Sequence, residues 1–271
     1  MQLGGQGGRH SATDQTAADG AAREENLRIY EESWSEWLDM KQYGPSSRWL
    51  RALIADALRS IRTEPGSILD VGCGEGSITD LLARKFPGAN VTGTDQSSEA
   101  IRLAHSRYAG SNLTFRIESA GDPAAARFDL VACLEVLEHV DDWRRFLNGL
   151  CDRSARCLLL SFPTGRMRPY EKFVGHVRNF SRGEVEQHLE GRGFLPLSIA
   201  YAGFPFYSPL YREICQLTNA GANQFTRGRY TWKQKLVSAV MLFAFRRLST
   251  QRRGGDQFVG LFLRSGGEVR A

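Results

Sequence analysis

Apolar residues between Asn26 and Ile61 recur at helical spacing. Leu27, Tyr30, Trp34, Trp37 and Leu38 share one face, Gly44–Pro45 interrupts it, and Trp49, Leu50, Leu53, Ile54, Ala57, Leu58 and Ile61 resume it. Two helices are therefore expected before the first strand. From Ser67 onward short apolar runs alternate with helical stretches. Strands are expected at Ser67–Val71, Asn90–Thr94, Asn112–Ile117, Phe128–Leu134, Cys157–Phe162 and Phe194–Tyr201. Helices are expected at Ser77–Lys85, Ser97–Tyr108, Val140–Leu150 and Ser181–Glu190, with Ser97 or Ser98 and Ser181 as N-caps. Phe128–Leu134 is apolar without alternation, as in a strand buried on both faces. This alternation of strand and helix implies a mostly parallel, doubly wound α/β sheet. Ligands of such sheets sit at the carboxyl ends of the strands.

After Tyr201 the pattern changes. Gly203–Tyr211 is aromatic and Pro-rich, Leu210–Leu217 and Trp232–Leu248 have helical spacing, and Asp256–Arg264 reads as one more strand. A helical insert over about residues 203–254, between the last two strands, accounts for this. The first 26 residues are rich in Gly, Gln, Ala, Thr and Asp, with no apolar stretch of the signal-peptide kind. They read as a disordered arm, leaving 27–271 as one domain.

Composition changes little in that picture. Of 271 residues 42% are hydrophobic and 24% charged, which is ordinary for a globular chain. Five cysteines, with no CxxC pair, argue against a disulfide framework or a Cys-rich zinc site and favour a reducing compartment. No run of 18 apolar residues would cross a bilayer, so the cytoplasm is the expected location. Charge is uneven. Residues 200–271 hold 11 Lys/Arg against 3 Asp/Glu, while residues 1–199 hold 24 against 27. A basic tail of this kind reads first as a solvated face. Leu236–Phe245, bordered by Lys233, Lys235, Arg246 and Arg247, has three readings: core packing (the expectation), an interfacial helix at a membrane, or a dimer helix. A peripheral membrane contact and either a monomer or a homodimer stay open.

The sharpest chemical signal is Ile68-Leu69-Asp70-Val71-Gly72-Cys73-Gly74-Glu75-Gly76. A strand feeds a glycine-rich turn that opens a helix, so the backbone approaches a ligand closely. A nicotinamide dinucleotide would space its glycines as GxGxxG, whereas these fall at 72, 74 and 76 with Ser at 77. Asp70 and Glu75 would repel a pyrophosphate and suit a cationic group such as an α-ammonium. Asp95 ends the second strand, 19 residues after Gly76, where an acid accepts hydrogen bonds from ribose hydroxyls. A nucleoside with a cationic amino-acid tail satisfies both positions, and S-adenosylmethionine is such a molecule.

With these segments, together with Phe128-Asp129-Leu130-Val131 and Leu134-Glu135-Val136-Leu137-Glu138-His139-Val140, the chain resembles the class I S-adenosylmethionine-dependent methyltransferases. The resemblance covers about residues 45–201 and the last strand. It implies a Rossmann-like seven-stranded sheet whose last strand is antiparallel. It places the methionine moiety over Asp70, Gly72, Cys73 and Gly74 and the ribose on Asp95, with Gly76, Gln96, Leu134 and Glu135 completing the cofactor set. Where family members often carry an Asp for the adenine, this chain has Ser119 between Glu118 and Ala120, so Glu118, Ser119, Ala120 or backbone carbonyls take that role.

Methyl transfer needs alignment, exclusion of water and an activated acceptor. Glu135, Glu138 and His139, spaced by three and four, would face one way on a helical turn at the end of the fourth strand. His176 lies in a loop after the fifth. Two carboxylates and two histidines make a candidate divalent-cation site, magnesium for example, for Glu135, Glu138, His139 and His176. The Glu-x-x-Glu-His spacing is similar to that of ubiquinone-pathway O-methyltransferases and of enzymes that methylate the terminal 2′-hydroxyl of small RNAs. Without a metal, His139 or His176 is the candidate general base, with Glu138 beside it. His10, His105 and His188 read as structural or solvated.

Tyr30, Trp34, Trp37, Phe204, Phe206, Tyr207 and Tyr211 would wall the acceptor side, which suits an apolar or aromatic small molecule. O-methylation of a hydroxylated small metabolite is the favoured expectation. C- or N-methylation, RNA 2′-O-methylation and a non-catalytic cofactor-binding protein are the alternatives. A nucleic-acid partner is not expected, since no RNA-binding module or basic–aromatic stacking pattern is present.

Overall fold

The computed structural model describes residues 34–118, 126–217 and 227–266. Seven strands form one sheet in the order β3-β2-β1-β4-β5-β7-β6. They are β1 (Ser67–Val71), β2 (Asn90–Asp95), β3 (Leu113–Ile117), β4 (Phe128–Leu134), β5 (Ser154–Pro163), β6 (Phe194–Ala202) and β7 (Gln257–Arg264). The five strands β1 to β5 pair in parallel, and β7 lies antiparallel between β5 and β6. This is the mostly parallel sheet the sequence pattern predicts, with the antiparallel last strand that the resemblance implies.

The helices are α1 (residues 34–43), α2 (Pro45–Leu58), α3 (Ser77–Lys85), α4 (Ser98–Arg107), α5 (Trp143–Arg153), α6 (Pro169–Phe173), α7 (Glu184–Gly191), α8 (Arg212–Leu217) and α9 (Trp232–Arg247). Neighbouring strand residues point to opposite faces, and each face is covered by its own helices. Ile68, Leu130 and Leu159 pack under Trp49, Leu53, Ile54 and Leu58 of α2, with Leu82 of α3 and Phe245 of α9. Leu69, Val131 and Leu160 pack on the other side with Trp143, Leu147 and Leu150 of α5 and Val185 and Leu189 of α7. Burial on both faces explains why the central strands read as continuous apolar runs.

Local chemistry sets the helix starts. Ser97 Oγ accepts the amide of Ala100 at 3.0 Å, so Ser97 is the cap of α4. Two expected starts shift. α5 begins at Trp143 because Asp142 accepts the amide of Arg145 at 3.1 Å, and Leu137–His139 forms a separate 3-10 turn before it. α7 begins at Glu184 behind Gly183, whose left-handed backbone ends the turn that Ser181 was expected to cap. After β6, Phe206–Tyr211 winds into a wide, kinked turn that leads into α8. Residues 1–33, 119–125, 218–226 and 267–271 lie outside the described residues, the expected N-terminal arm and Tyr30 among them.

The core-packing expectation for Leu236–Phe245 holds for one side only. Phe245 is buried against Trp49, Tyr207 and Tyr211, while Leu236, Val240 and Phe243 face solvent.

Candidate functional site

The carboxyl ends of β1 and β2 are tied together around the glycine loop. The amides of Gly72 and Cys73 donate to the Thr94 carbonyl at 2.8 and 2.9 Å. The Gly74 amide donates to one oxygen of Asp95 and the Ser97 amide to the other, both at 2.9 Å. Asp95 thus anchors the loop at the mouth between the strands. Gly74 has a left-handed backbone (φ 55°), and a Cβ there would lie 2.5 Å from the Trp34 indole. α1 therefore lays an aromatic ring directly on the loop.

Asp70 is buried, and the Thr79 hydroxyl donates to it at 2.8 Å. Burial pushes its pKa up to about 7, with Thr79 opposing and the Asp95 charge adding to the rise. Glu75 does not join it. Its carboxylate is buried toward α4, 3.7 Å from the Arg107 guanidinium and within hydrogen-bond distance of Tyr108. The expectation that Glu75 also faces a cationic ligand is corrected, because Arg107 and Tyr108 of the α4 end take up its carboxylate. Glu118, at the end of β3, is held by Arg116 at 2.7 Å and Arg153 at 2.6 Å. Gln96 is exposed beside Asp95, and Leu134 is buried in the core. Ser119 and Ala120 lie outside the described residues.

The second half of the site follows β4. Glu135 has φ 59°, a left-handed conformation that costs a non-glycine residue about 1–2 kcal/mol. That bend ends the strand and turns its side chain to Ser161 Oγ and Gln257 Nε2, which both donate to it at 2.8 Å. The helical turn starts only at Leu137, so Glu135 does not share a face with Glu138 and His139 as the spacing suggested.

Glu138, His139 and His176 do come together, each offering one ligand atom within 4.8 Å of the others. The two imidazoles meet edge-on, 4.7 Å between centroids. His139 Nδ1 donates to the Gly175 carbonyl at 3.0 Å, which leaves Nε2 as an acceptor. The loop after β5 is fixed by the amides of Val177 and Arg178, which donate to the Glu138 carbonyl at 2.9 and 3.4 Å. Burial lowers both histidines to about 4, His139 further by His176 and His176 further by Arg212, so both are neutral at physiological pH. Glu138 is fully buried, and neither of its carboxylate oxygens has a hydrogen-bond partner among the described residues. Nor has His176 Nδ1. Burial, reinforced by the Glu135 charge, raises the Glu138 pKa well above the carboxylate range.

A buried, unpaired carboxylate is costly. Two neutral imidazoles and one carboxylate are a donor set for a divalent cation, and such an ion would satisfy the orphaned oxygens. Val136, between Glu135 and the trio, packs against Gly72 so closely that a Cβ there would collide with it. The trio and the glycine loop are therefore neighbours. Sequence reasoning missed Ser161, Gln257 and Lys41. The Lys41 ammonium, 5.7 Å from the Trp34 ring centroid, lowers the pKa of Glu135, Glu138 and His139 by its charge. A polar residue inside an otherwise apolar strand was the available signal for Ser161, and a polar residue opening β7 for Gln257. Lys41 left no signal.

A family model described as "Methyltransferase domain" matches residues 69–154. A ubiquinone biosynthesis O-methyltransferase of Erwinia tasmaniensis is 42% identical over 87 residues, 30% of this chain and 35% of that protein. One of Ralstonia nicotianae is 37% identical over 123 residues, 43% of this chain and 50% of that protein. The chain thus spans about a third to a half of the length of the curated relatives it matches. Among solved structures, magnesium protoporphyrin IX methyltransferase of Synechocystis PCC 6803 with bound S-adenosylmethionine superposes with TM-score 0.50 at 19% identity, covering 82% of this chain and 80% of that one. The plantazolicin methyltransferase BpumL, in complex with S-adenosylhomocysteine, superposes with TM-score 0.51 at 18% identity, covering 91% and 98%. The sheet order and these superpositions give this chain a Rossmann-like fold shared with these methyltransferases, and residues 69–154 match the methyltransferase domain model.

Proposed function

We propose that this protein transfers the methyl group of S-adenosylmethionine to a hydroxyl of a small apolar or aromatic molecule, and that Glu138, His139 and His176 hold a divalent cation for that reaction. The observation that carries the cation is Glu138, fully buried with two partnerless oxygens between two neutral histidines, beside the glycine loop. The partial matches to O-methyltransferases support the acceptor class.

When bound, the cofactor supplies an electrophilic methyl on a sulfonium, and the cation supplies a Lewis acid that lowers the pKa of an acceptor hydroxyl. The chain does the rest. Asp70 faces the methionine ammonium in its ionised form. Asp95 accepts from the ribose hydroxyls while keeping the Gly74 and Ser97 amides. Glu135, pinned by Ser161 and Gln257, fixes the bend that carries Val136 onto Gly72 and Glu138 toward the acceptor. Trp34 roofs the loop and keeps water from the reacting atoms. An acceptor hydroxyl whose pKa is lowered would give its proton to solvent on binding, so no strong base is demanded of His139 or His176, whose depressed pKa values suit ligands better than proton acceptors.

The test is to incubate the protein with methyl-labelled S-adenosylmethionine and an extract of its host, with and without exhaustive chelation. Label in the small organic-soluble fraction that disappears on chelation and returns with magnesium is the expected result. Label in RNA or protein overturns the small-molecule reading. Transfer that survives chelation overturns the cation.

A further inference from the structure

α9 has two faces with opposite surroundings. Phe245 and Ser238 are buried, but Trp232, Leu236, Val240 and Phe243 are 70%, 57%, 62% and 60% exposed. Their spacing of four, four and three residues aligns them in one stripe along the helix. Phe204 and Leu248, near the C-terminal end of the helix, are exposed as well. Single exposed apolar residues are ordinary, whereas a contiguous row of large ones marks an interaction surface. The charges that frame this row have one sign. α9 contains Lys233, Lys235, Arg246 and Arg247 and no acidic residue, and Arg252 and Arg253 follow it.

We propose that the outer face of α9 docks the protein on an anionic membrane surface. The apolar stripe enters the boundary between headgroups and acyl chains, Trp232 sits at the interface, and the lysines and arginines meet anionic headgroups. At 16 residues the helix lies in the surface rather than crossing it, and no helix among the described residues is long and apolar enough to cross. Charge selects this occupant over a second copy of the chain. A symmetric pairing would press two basic, acid-free helices together, while an anionic surface complements them. The inner face of the same helix packs through Phe245 on Tyr207, whose hydroxyl donates to Gln257 beside Glu135. Docking there would bring the bilayer to the outer face of the same helix. The docking itself stands independently of the methyl-transfer reading.

The experiment is co-sedimentation of the full chain with phosphatidylcholine vesicles and with the same vesicles carrying phosphatidylglycerol. Binding to the anionic vesicles that weakens with added salt is expected. The double variant Leu236→Glu/Phe243→Glu is expected to lower that partition at least ~tenfold, since two large apolar side chains no longer leave water. Its melting temperature and S-adenosylmethionine affinity should stay unchanged because both positions face solvent. A second variant, Lys233→Glu/Arg247→Glu, should abolish the preference for anionic over neutral vesicles. Failure of the wild type to sediment with anionic vesicles overturns the proposal, as does partition that neither variant alters. A dimer in sedimentation equilibrium that the apolar double variant dissolves, without vesicle binding, overturns it in favour of self-association.

Discussion

Replacing Glu138 by Gln should stabilise the protein without metal and abolish its stabilisation by metal. The wild-type carboxylate is fully buried, and both of its oxygens lack a hydrogen-bond partner among the described residues. A buried, unsatisfied polar group costs about 1–3 kcal/mol, and more when charged. The amide keeps the shape and cannot ionise, so it escapes the cost of holding a carboxyl protonated above its unfolded pKa. At about 1.4 kcal/mol per pH unit, E138Q should recover about 1–3 kcal/mol in chelator about one to two pH units above that value. At roughly 2–4 °C per kcal/mol for a domain of this size, the melting temperature rises by about 2–12 °C. The sign with pH follows from the raised pKa. The folded state holds a proton on Glu138 that the unfolded state releases near 4.5, so wild-type stability is full below that value and lost as pH rises toward the folded pKa. The advantage of the variant therefore grows from acid to alkaline pH. With a divalent cation at a hundred times its Kd, the wild type gains about 2.7 kcal/mol, and E138Q, lacking the anionic ligand, gains almost nothing. The assay is thermal melting followed by circular dichroism at several pH values, in chelator and in manganese. A variant less stable than wild type in chelator would show that Glu138 has a partner without metal. Equal metal gains in the two proteins would remove Glu138 from the ligand set. Either result refutes the argument.

Asp70 makes a second pH prediction. Its folded pKa of about 7 means the stability it contributes is present below about 4 and lost as pH rises through 7. An ammonium favours its ionised form, so cofactor binding at about pH 6 should expel a proton, seen by calorimetry in two buffers of different ionisation enthalpy. No proton release would mean the ammonium is elsewhere. Gly74→Ala should lower the melting temperature and weaken cofactor binding, because it forces a left-handed backbone costing about 1–2 kcal/mol and drives a methyl into Trp34. Adding Trp34→Ala should restore the steric part, and its failure to do so would contradict the Trp34 roof. Asp95→Ala should weaken cofactor binding by about 1–3 kcal/mol in a calorimeter, and unchanged binding would defeat the ribose assignment.

Much of this fold was legible because a parallel sheet writes itself plainly into sequence. Ser67–Val71 and Phe128–Leu134 fall where the apolar pattern put them, since burial on both faces leaves no alternation to misread. Boundaries set by short-range hydrogen bonds were harder. Asp142 starts α5 three residues later than the apolar pattern did, because capping is decided by one side chain rather than by a periodicity. α9 shows the limit of periodicity itself. Apolar residues on both of its sides give no preferred direction in sequence, so nothing marked Phe245 as inward and Phe243 as outward. Only packing against Trp49 and Tyr207 separates them.

The site was legible in its residue types and not in its geometry, and the reason is a single backbone bend. Spacing of three and four implies one helical face only if the helix includes all three positions. Glu135 instead adopts φ 59°, which breaks the turn between it and Glu138. The same bend sends its carboxylate to Ser161 on β5 and Gln257 on β7, two partners far away in sequence. Glu138 loses that neighbour as a co-ligand and gains His176, brought in when the Val177 amide meets the Glu138 carbonyl. One carboxylate is thus satisfied by the protein and the other by nothing described in it. Two acids three residues apart in a motif would otherwise look equivalent. Their unequal satisfaction is the physical ground for assigning Glu135 to the scaffold and Glu138 to the cation.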